Sequence, residues 1–423
     1  YLPVPPGVKN GAQSPEYLHY LKRATFPDLV GASINGMVGL MSRKDTQIEL
    51  PDALERLRNQ ATPDGAELTD LLMMLRREVM SVGRFALLVD VAEAGGDPFI
   101  APYVAESLIN WRTDGVRTTL AVFEETVREP DSSDPFVEVV ISQWREATVE
   151  AGDDGRERYT VRLWQQREQD DAPQIVSEVV PTRQGQPLDF VPVVVVGSRN
   201  LQPEPDTIPT LNIVNAALDW YRQVADYRLG LFMTSQATPY VTGVPDKEVP
   251  NTIGPSTVWS FSDASAEVGF LEVSGAGLDA QKTALDETHQ RILNATIKVM
   301  GDGQRGAESA EALRLRFQSQ TATLASVAES TAAGLERALR FVAEWAGANP
   351  DTVAVTPSLD FIREMPDPQV LSALMKGTER GVLPDDVLAG YLREVDLTEM
   401  SNADFRQLSP ASQAVPQDDD LTQ

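Results

Sequence analysis

Between Ser309 and Ala346, the residues Leu313, Phe317, Leu324, Ala328, Leu335, Leu339 and Val342 recur along one helical face. The spacing predicts a single helix of about 38 residues, about 57 Å long at 1.5 Å per residue. A rod of that length has to be accommodated before any other element. A chain of 423 residues exceeds one typical domain, so two or three packed regions are expected around it.

The segment leading into the rod, GDGQRGAE over 301–308, fits G-x-G-x-x-G at Gly301, Gly303 and Gly306. Glycines that open onto a helix N-terminus are how dinucleotide sites hold phosphate. That reading requires a strand directly before the first glycine. Residues 278–300 instead repeat Leu278, Leu285, Ile292 and Val299 at intervals of seven, the narrow seam of a helix packed beside other helices. A P-loop needs Lys and a hydroxyl after its second glycine, and RGAE supplies neither. The expectation is helix, short glycine loop, helix, with Gly301 near a C-cap and Ser309 as an N-cap. The alternative is a nucleotide- or dinucleotide-dependent enzyme that uses 301–306.

Residues 205–233 carry Leu211, Val214, Leu218, Tyr221, Ala225, Leu229 and Phe232 at spacings of three or four. They predict a second long amphipathic helix with Pro209 in its first turn. Strands are expected at 239–244, 256–261 and 269–273. Residues 16–42 and 66–80 have helical spacing, 83–91 reads as a strand, and 98–200 is β-rich, with strands at 136–142, 159–164, 175–180 and 190–196. A strand at 353–361 and a helical pair over 367–396 follow the rod. The first residues, YLPVPPGVKNGAQSPEY, read as an extended arm, and the tail from about Asp404 as disordered. There is no internal repeat.

Chemistry-bearing residues are scarce. Cys is absent and His occurs twice, which removes disulfides, thiolate sites and a multi-histidine metal centre within one chain. His19 reads as a packed helical residue and His289 as a flank of the heptad seam. Trp111, Trp220, Trp259 and Trp345 fall in amphipathic segments, where packing is the default. No G-x-S-x-G, H-E-x-x-H or EF-hand pattern occurs, so no catalytic residue, cofactor or metal site is assigned and the chain is not read as an enzyme. The net charge of −27 repels phosphate backbones. It opposes tight nucleic-acid binding but suits a surface that nucleic acid passes without sticking. No apolar run approaches the roughly 18–20 residues of a membrane span.

In their order, several phrases resemble the portal proteins, the head–tail connectors of tailed double-stranded-DNA bacteriophages. These are SPEYLHYLKRATF (14–26), GMVGLMSRK (36–44), GRFALLVDV (83–91), ESLINWR (106–112), PTLNIVNAALDWYRQVADYR (209–228), TPYVTGV (238–244) and SAEALRLR (309–316). The resemblance implies an α+β, phage-portal-like fold. It would comprise an N-terminal arm and β-rich wing (1–204), a first stem helix (205–237), a small β clip (238–277) and a second stem helix (278–300). A tunnel loop (301–308), a long wing helix with a return strand (309–364), a small helical crown (365–400) and a disordered tail (401–423) would follow. The crown is short and the clip compact beside the family's pattern.

The resemblance further implies a homo-oligomeric ring, usually a dodecamer, at one capsid vertex of the virion, assembled in the host cytoplasm. Double-stranded DNA would pass through it without sequence-specific contacts. Partners would be the terminase large subunit, a head–tail adaptor and the major capsid or scaffolding protein. The implied tunnel loop is Gly301, Asp302, Gly303, Gln304, Arg305 and Gly306, with Arg291 and Lys298 as candidate channel-lining stem residues. A capsid or baseplate protein without a channel is the structural alternative.

Overall fold

The computed structural model describes residues 1–5, 8, 11–91, 96–115, 117–130, 134, 136–152, 155–167, 172–183, 185–235, 238–252, 257–271, 276–300, 310–361, 368–394, 397–398, 400–401 and 404–405. The chain divides into two units, Tyr1–Pro357 and Ser358–Gln423. Both helices and antiparallel sheets build the first, so it is mixed α+β.

The first unit opens with α1 (Pro15–Arg23), α2 (Leu29–Met41), β1 (Gln47–Glu49) and α3 (Leu68–Val82). The helical spacing over 16–42 is interrupted between α1 and α2. Pro27 lacks a backbone donor there, and the Asp28 carboxylate caps α2 by accepting from the Gly31 N–H at 2.7 Å. His19 is exposed, against expectation; its neighbour Tyr20 is the inward residue of α1.

After α3 the chain reverses at Gly83, which holds the left-handed conformation at φ 79° and gives its N–H to Val79. Strand β2 (Arg84–Val91) follows, buried from Arg84 to Asp90. It lies between β3 (Pro98–Val104) and a later strand, which explains its almost unbroken apolar run. A five-stranded antiparallel sheet then forms from β4 (Leu108–Thr113), β5 (Thr118–Pro130), β6 (Glu138–Ala151), β7 (Glu157–Gln166) and β8 (Gln174–Val179), in that spatial order. Strand β6 outruns the expected 136–142. Its second half continues as a ladder of charged and polar residues, with Arg162 of β7 bonded to Glu150 of β6 and Glu178 of β8.

Two short strands, β9 (Thr182–Arg183) and β10 (Gln186–Pro187), lead to β11 (Val193–Gly197), which pairs with β2 and completes the order β11-β2-β3. The helix α4 (Leu211–Thr234), the paired strands β12 (Thr238–Thr242) and β13 (Glu267–Leu271), and the helix α5 (Ala276–Met300) come next. Pro209 precedes α4, whose N-cap is Thr210; the Thr210 hydroxyl donates to the Met80 carbonyl at 2.8 Å, tying α4 to the end of α3. Residues 257–261 form no strand; the Trp259 indole donates to the Thr252 carbonyl at 2.9 Å, within the excursion's own loop.

The long helix α6 (Ala310–Ala346) crosses β2, β3 and β11 and packs beside α3. Leu324, Ala328, Leu335, Leu339 and Val342 are fully buried along it. Strand β14 (Ala354–Thr356) then pairs with β1, and Pro357 stops the pairing well short of the expected 361. In the second unit, α7 (Pro368–Glu379) and α8 (Asp385–Glu394) form a helical hairpin. Gly381 turns it at φ 67°, and the Gly377 carbonyl accepts from the N–H groups of Val382 and Leu383.

Candidate functional site

The antiparallel pair α4–α5 is where the residues singled out for function converge. Gly230 faces Leu278, Gln223 faces Thr288 and Asp219 faces Arg291 along its length. Leu285 and Ile292, seven residues apart, are buried on α5 as a helical seam requires. On α4 the buried residues are Ile213, Ala217, Val224 and Ala225. Leu211 and Phe232, expected on the buried face, are 44% and 50% exposed. The buried surface of α4 is wider than one stripe because the helix carries a second layer of cover.

That cover is the start of the chain. Leu2 is buried with Tyr20 and Ala225, and the Tyr17 hydroxyl donates to the Leu2 carbonyl at 2.8 Å. The Tyr20 hydroxyl donates to Asp226 at 2.7 Å. Burial, and then the Asp226 carboxylate, push the Tyr20 phenol well above its ordinary value. Phe26 meets Tyr221 edge-on at 5.1 Å, and Arg23 lies 3.7 Å over the Phe232 ring. The sequence marks Tyr20 and Asp226 only as ordinary helical residues, because nothing local links positions 206 apart.

Helix α2 braces α5 near its C-terminal end, where the Ser33 and Thr296 hydroxyls share a hydrogen bond of 2.8 Å. Arg76, 2% exposed, fixes the end of α2 in turn. It donates to the Met41 carbonyl at 3.0 Å, the Ser42 hydroxyl at 3.1 Å and the Thr46 hydroxyl at 2.9 Å. A cation at a helix C-terminus is well placed against the helix dipole. Burial nevertheless pushes its pKa down to about 10.

Of the predicted site residues, Arg291 is placed on the open side of the pair. It donates to the Thr288 hydroxyl at 2.8 Å and stands 4.0 Å from the Asp219 carboxylate. The Trp220 and His289 rings meet at a tilt of 36° across the helices, with centroids 5.8 Å apart. Lys298 belongs to the last turn of α5, and its side chain lies outside the described residues. Gly301, Asp302, Gly303, Gln304, Arg305 and Gly306 also lie outside them. Around β12 and β13, Met233, Val258, Phe270 and Leu271 are 58–90% exposed, a concentration of uncovered apolar surface. Among the described residues no cluster of potential metal ligands occurs, and no helix is long and apolar enough to cross a membrane.

Residues 209–346 match the family described as a domain of unknown function, DUF4055. The match starts just ahead of α4 and stops at the last residue of α6, taking in both paired helices, the β excursion and the rod. It covers roughly a third of the chain. No curated protein matches this chain. Among solved structures, it is similar to a chain of the virion of a native gene transfer agent particle, at 11% identity and a TM-score of 0.40, over 94% of this chain and 93% of that one. It is also similar to a chain from the neck of an empty gene transfer agent particle, at 12% identity and a TM-score of 0.37, over 94% and 93%.

Proposed function

We propose that this chain is the subunit of a phage-type portal, a non-enzymatic ring at the head–tail vertex of a virion through which double-stranded DNA is packaged and ejected. The observation that carries the reading is the order of elements over 209–346. Two long antiparallel helices bracket a small two-stranded excursion, and a 37-residue helix follows after a short glycine-containing segment. Four of the ordered phrases that resemble portals lie ahead of that region and three lie within it. In this proposal α4 and α5 are the stem helices, β12 and β13 belong to the clip, residues 301–308 are the tunnel loop, α6 crosses the wing, and α7–α8 form the crown.

The electrostatics support a conduit. A chain with a net charge of −27 offers few phosphate anchors, so DNA slides rather than binds. Arg291 is compensated by Asp219 on the facing helix, which makes any ring of Arg291 residues a shallow positive step. The uncovered apolar side chains around β12 and β13 suit contacts with an adaptor or the terminase large subunit; a capsid or scaffolding protein would meet the ring elsewhere. The enzyme alternative loses its structural premise, since the residues before Gly301 are the helix α5 and not the strand that a dinucleotide loop requires.

Electron microscopy of the purified full chain tests the proposal. Annular particles with a central hole, of one subunit number near twelve, are expected. A persistent monomer, or a compact assembly without a hole, would overturn it.

A further inference from the structure

Where the three-stranded and five-stranded sheets meet, five strands contribute a cluster of polar side chains to one nearly closed space. Asp90 comes from β2, Tyr103 from β3, Glu125 from β5, Gln143 and Arg145 from β6, and Tyr159 from β7. Arg145 forms the joint. It donates to Asp90 at 2.9 Å and to Glu125 at 2.8 Å, so a single guanidinium holds one carboxylate from each sheet. The side chains of Asp90, Glu125 and Arg145 are only 12%, 18% and 21% exposed.

Hydrogen bonding within the cluster is uneven. Glu125 accepts from Tyr103 at 2.6 Å and from Gln143 as well as from Arg145. Besides Arg145, Asp90 accepts from the Val91 N–H at 2.8 Å. Tyr159 is fully buried, and among the described residues its hydroxyl finds no hydrogen-bond partner; burial, and then the Asp90 carboxylate, push its phenol well above the ordinary value. Among the described residues, two carboxylates against one guanidinium leave the space with one uncompensated negative charge. A buried unpaired charge and a buried unmade hydrogen bond are both costly.

We infer that this cluster is a proton-binding joint: it takes up one proton, on Asp90, and the contact between the two sheets is firmest in that neutral form. The proton cancels the surplus charge without breaking the Arg145–Glu125 pair, and it gives the joint a new O–H donor in a space that holds an unfilled tyrosine hydroxyl. The environments separate the two acids accordingly. Burial, outweighing the Arg145 charge and the Val91 N–H, raises Asp90. Burial also acts on Glu125, but Arg145 and the bonds from Tyr103 and Gln143 outweigh it and lower that group.

The sign follows from linkage. Asp90 holds its proton more tightly folded than unfolded, so its contribution to stability grows as pH falls through its folded value. Glu125 behaves oppositely, and its contribution is lost only on further acidification, below the ordinary carboxylate range. The joint therefore strengthens on mild acidification before it fails in strong acid, the reverse of a simple salt bridge.

Hydrogen exchange of the full chain, read on peptides from Thr118–Gln166 with α3 peptides as the internal reference and corrected for intrinsic rates, tests this. From neutral to mildly acidic pH, protection of the sheet is expected to rise relative to α3. The gain is at most about tenfold per pKa unit by which Asp90 is raised. Asp90→Asn, a permanently neutral mimic, is expected to show high protection at both pH values and no slope. Tyr159→Phe is expected to keep its neutral-pH protection and lose part of the acid gain. Sheet protection that stays flat or falls relative to α3 in the wild type would overturn the inference, and that measurement decides even if Asp90→Asn does not fold. Asp90→Asn less protected than wild type at neutral pH would overturn it equally.

Discussion

Gly334 lies where the rod touches the sheet. A Cβ added there would sit 2.3 Å from one methyl of Val196 and 3.2 Å from the other. Glycine inside a helix ordinarily costs about 1 kcal/mol relative to alanine, so Gly334→Ala gains that propensity and meets a steric penalty. The penalty should win, because Val196 is β-branched, fully buried and held in a ladder with Phe85. We expect Gly334→Ala to destabilise by about 1–3 kcal/mol in denaturant unfolding. Val196→Ala in the same chain should recover part of the loss, and strict additivity of the two changes would refute the contact. The sequence shows Gly334 as an unremarked interruption of a helical pattern. Its reason is a strand almost 140 positions away, which no window along the chain reveals. Asp90, Arg145 and Tyr159 are the same case: each sits in an ordinary strand pattern, and only the meeting of the sheets makes a cluster of them.

Among the elements, periodicity was the reliable signal wherever one face of a helix alone decides burial. The heptad of α5 named Leu285 and Ile292, and both are buried. On α4 the same reasoning found Tyr221, Ala225 and Leu229, which pack against the N-terminal segment, but not Ile213, Ala217 and Val224, since a helix covered on two sides has no single inward face. Strand ends were less legible than helices. Strand β6 continues through charged residues that are satisfied by their neighbours across the sheet, and residues 257–261 have strand composition without a partner strand. For the glycine motif at 301–306, which lies outside the described residues, only the helix α5 that precedes it bears on the reading. For the α4–α5 pair, Ile292→Ala should cost about 2–5 kcal/mol, whereas Gln290→Ala on the exposed side should stay within about 0.5 kcal/mol. Equal effects of the two, by thermal or denaturant unfolding, would show that the pair does not depend on this seam.

For the molecule as a whole, the division at Pro357 makes a direct prediction. A chain ending at 357 retains every strand and helix of the first unit. It should remain soluble and folded by circular dichroism and size-exclusion chromatography. A chain ending at 309 lacks α6, exposes the apolar surfaces of β11, β2 and α3 that the rod covers, and should aggregate. Comparable solubility of the two would mean that the rod is dispensable to the core. The pairing of β1 with β14 carries this further. Gln47 meets Thr356, so a strand made early in synthesis waits for one made some three hundred residues later. At ribosomal speeds of roughly 5–20 residues per second, the valine-rich strand β11 stands unshielded for several seconds or more before the whole of α6 has been made. During that interval the nascent chain is a client for whatever holds exposed apolar surface in the cell. The yield of folded subunits should therefore depend on chaperone supply and on translation rate across 197–346, independently of the final stability of the fold.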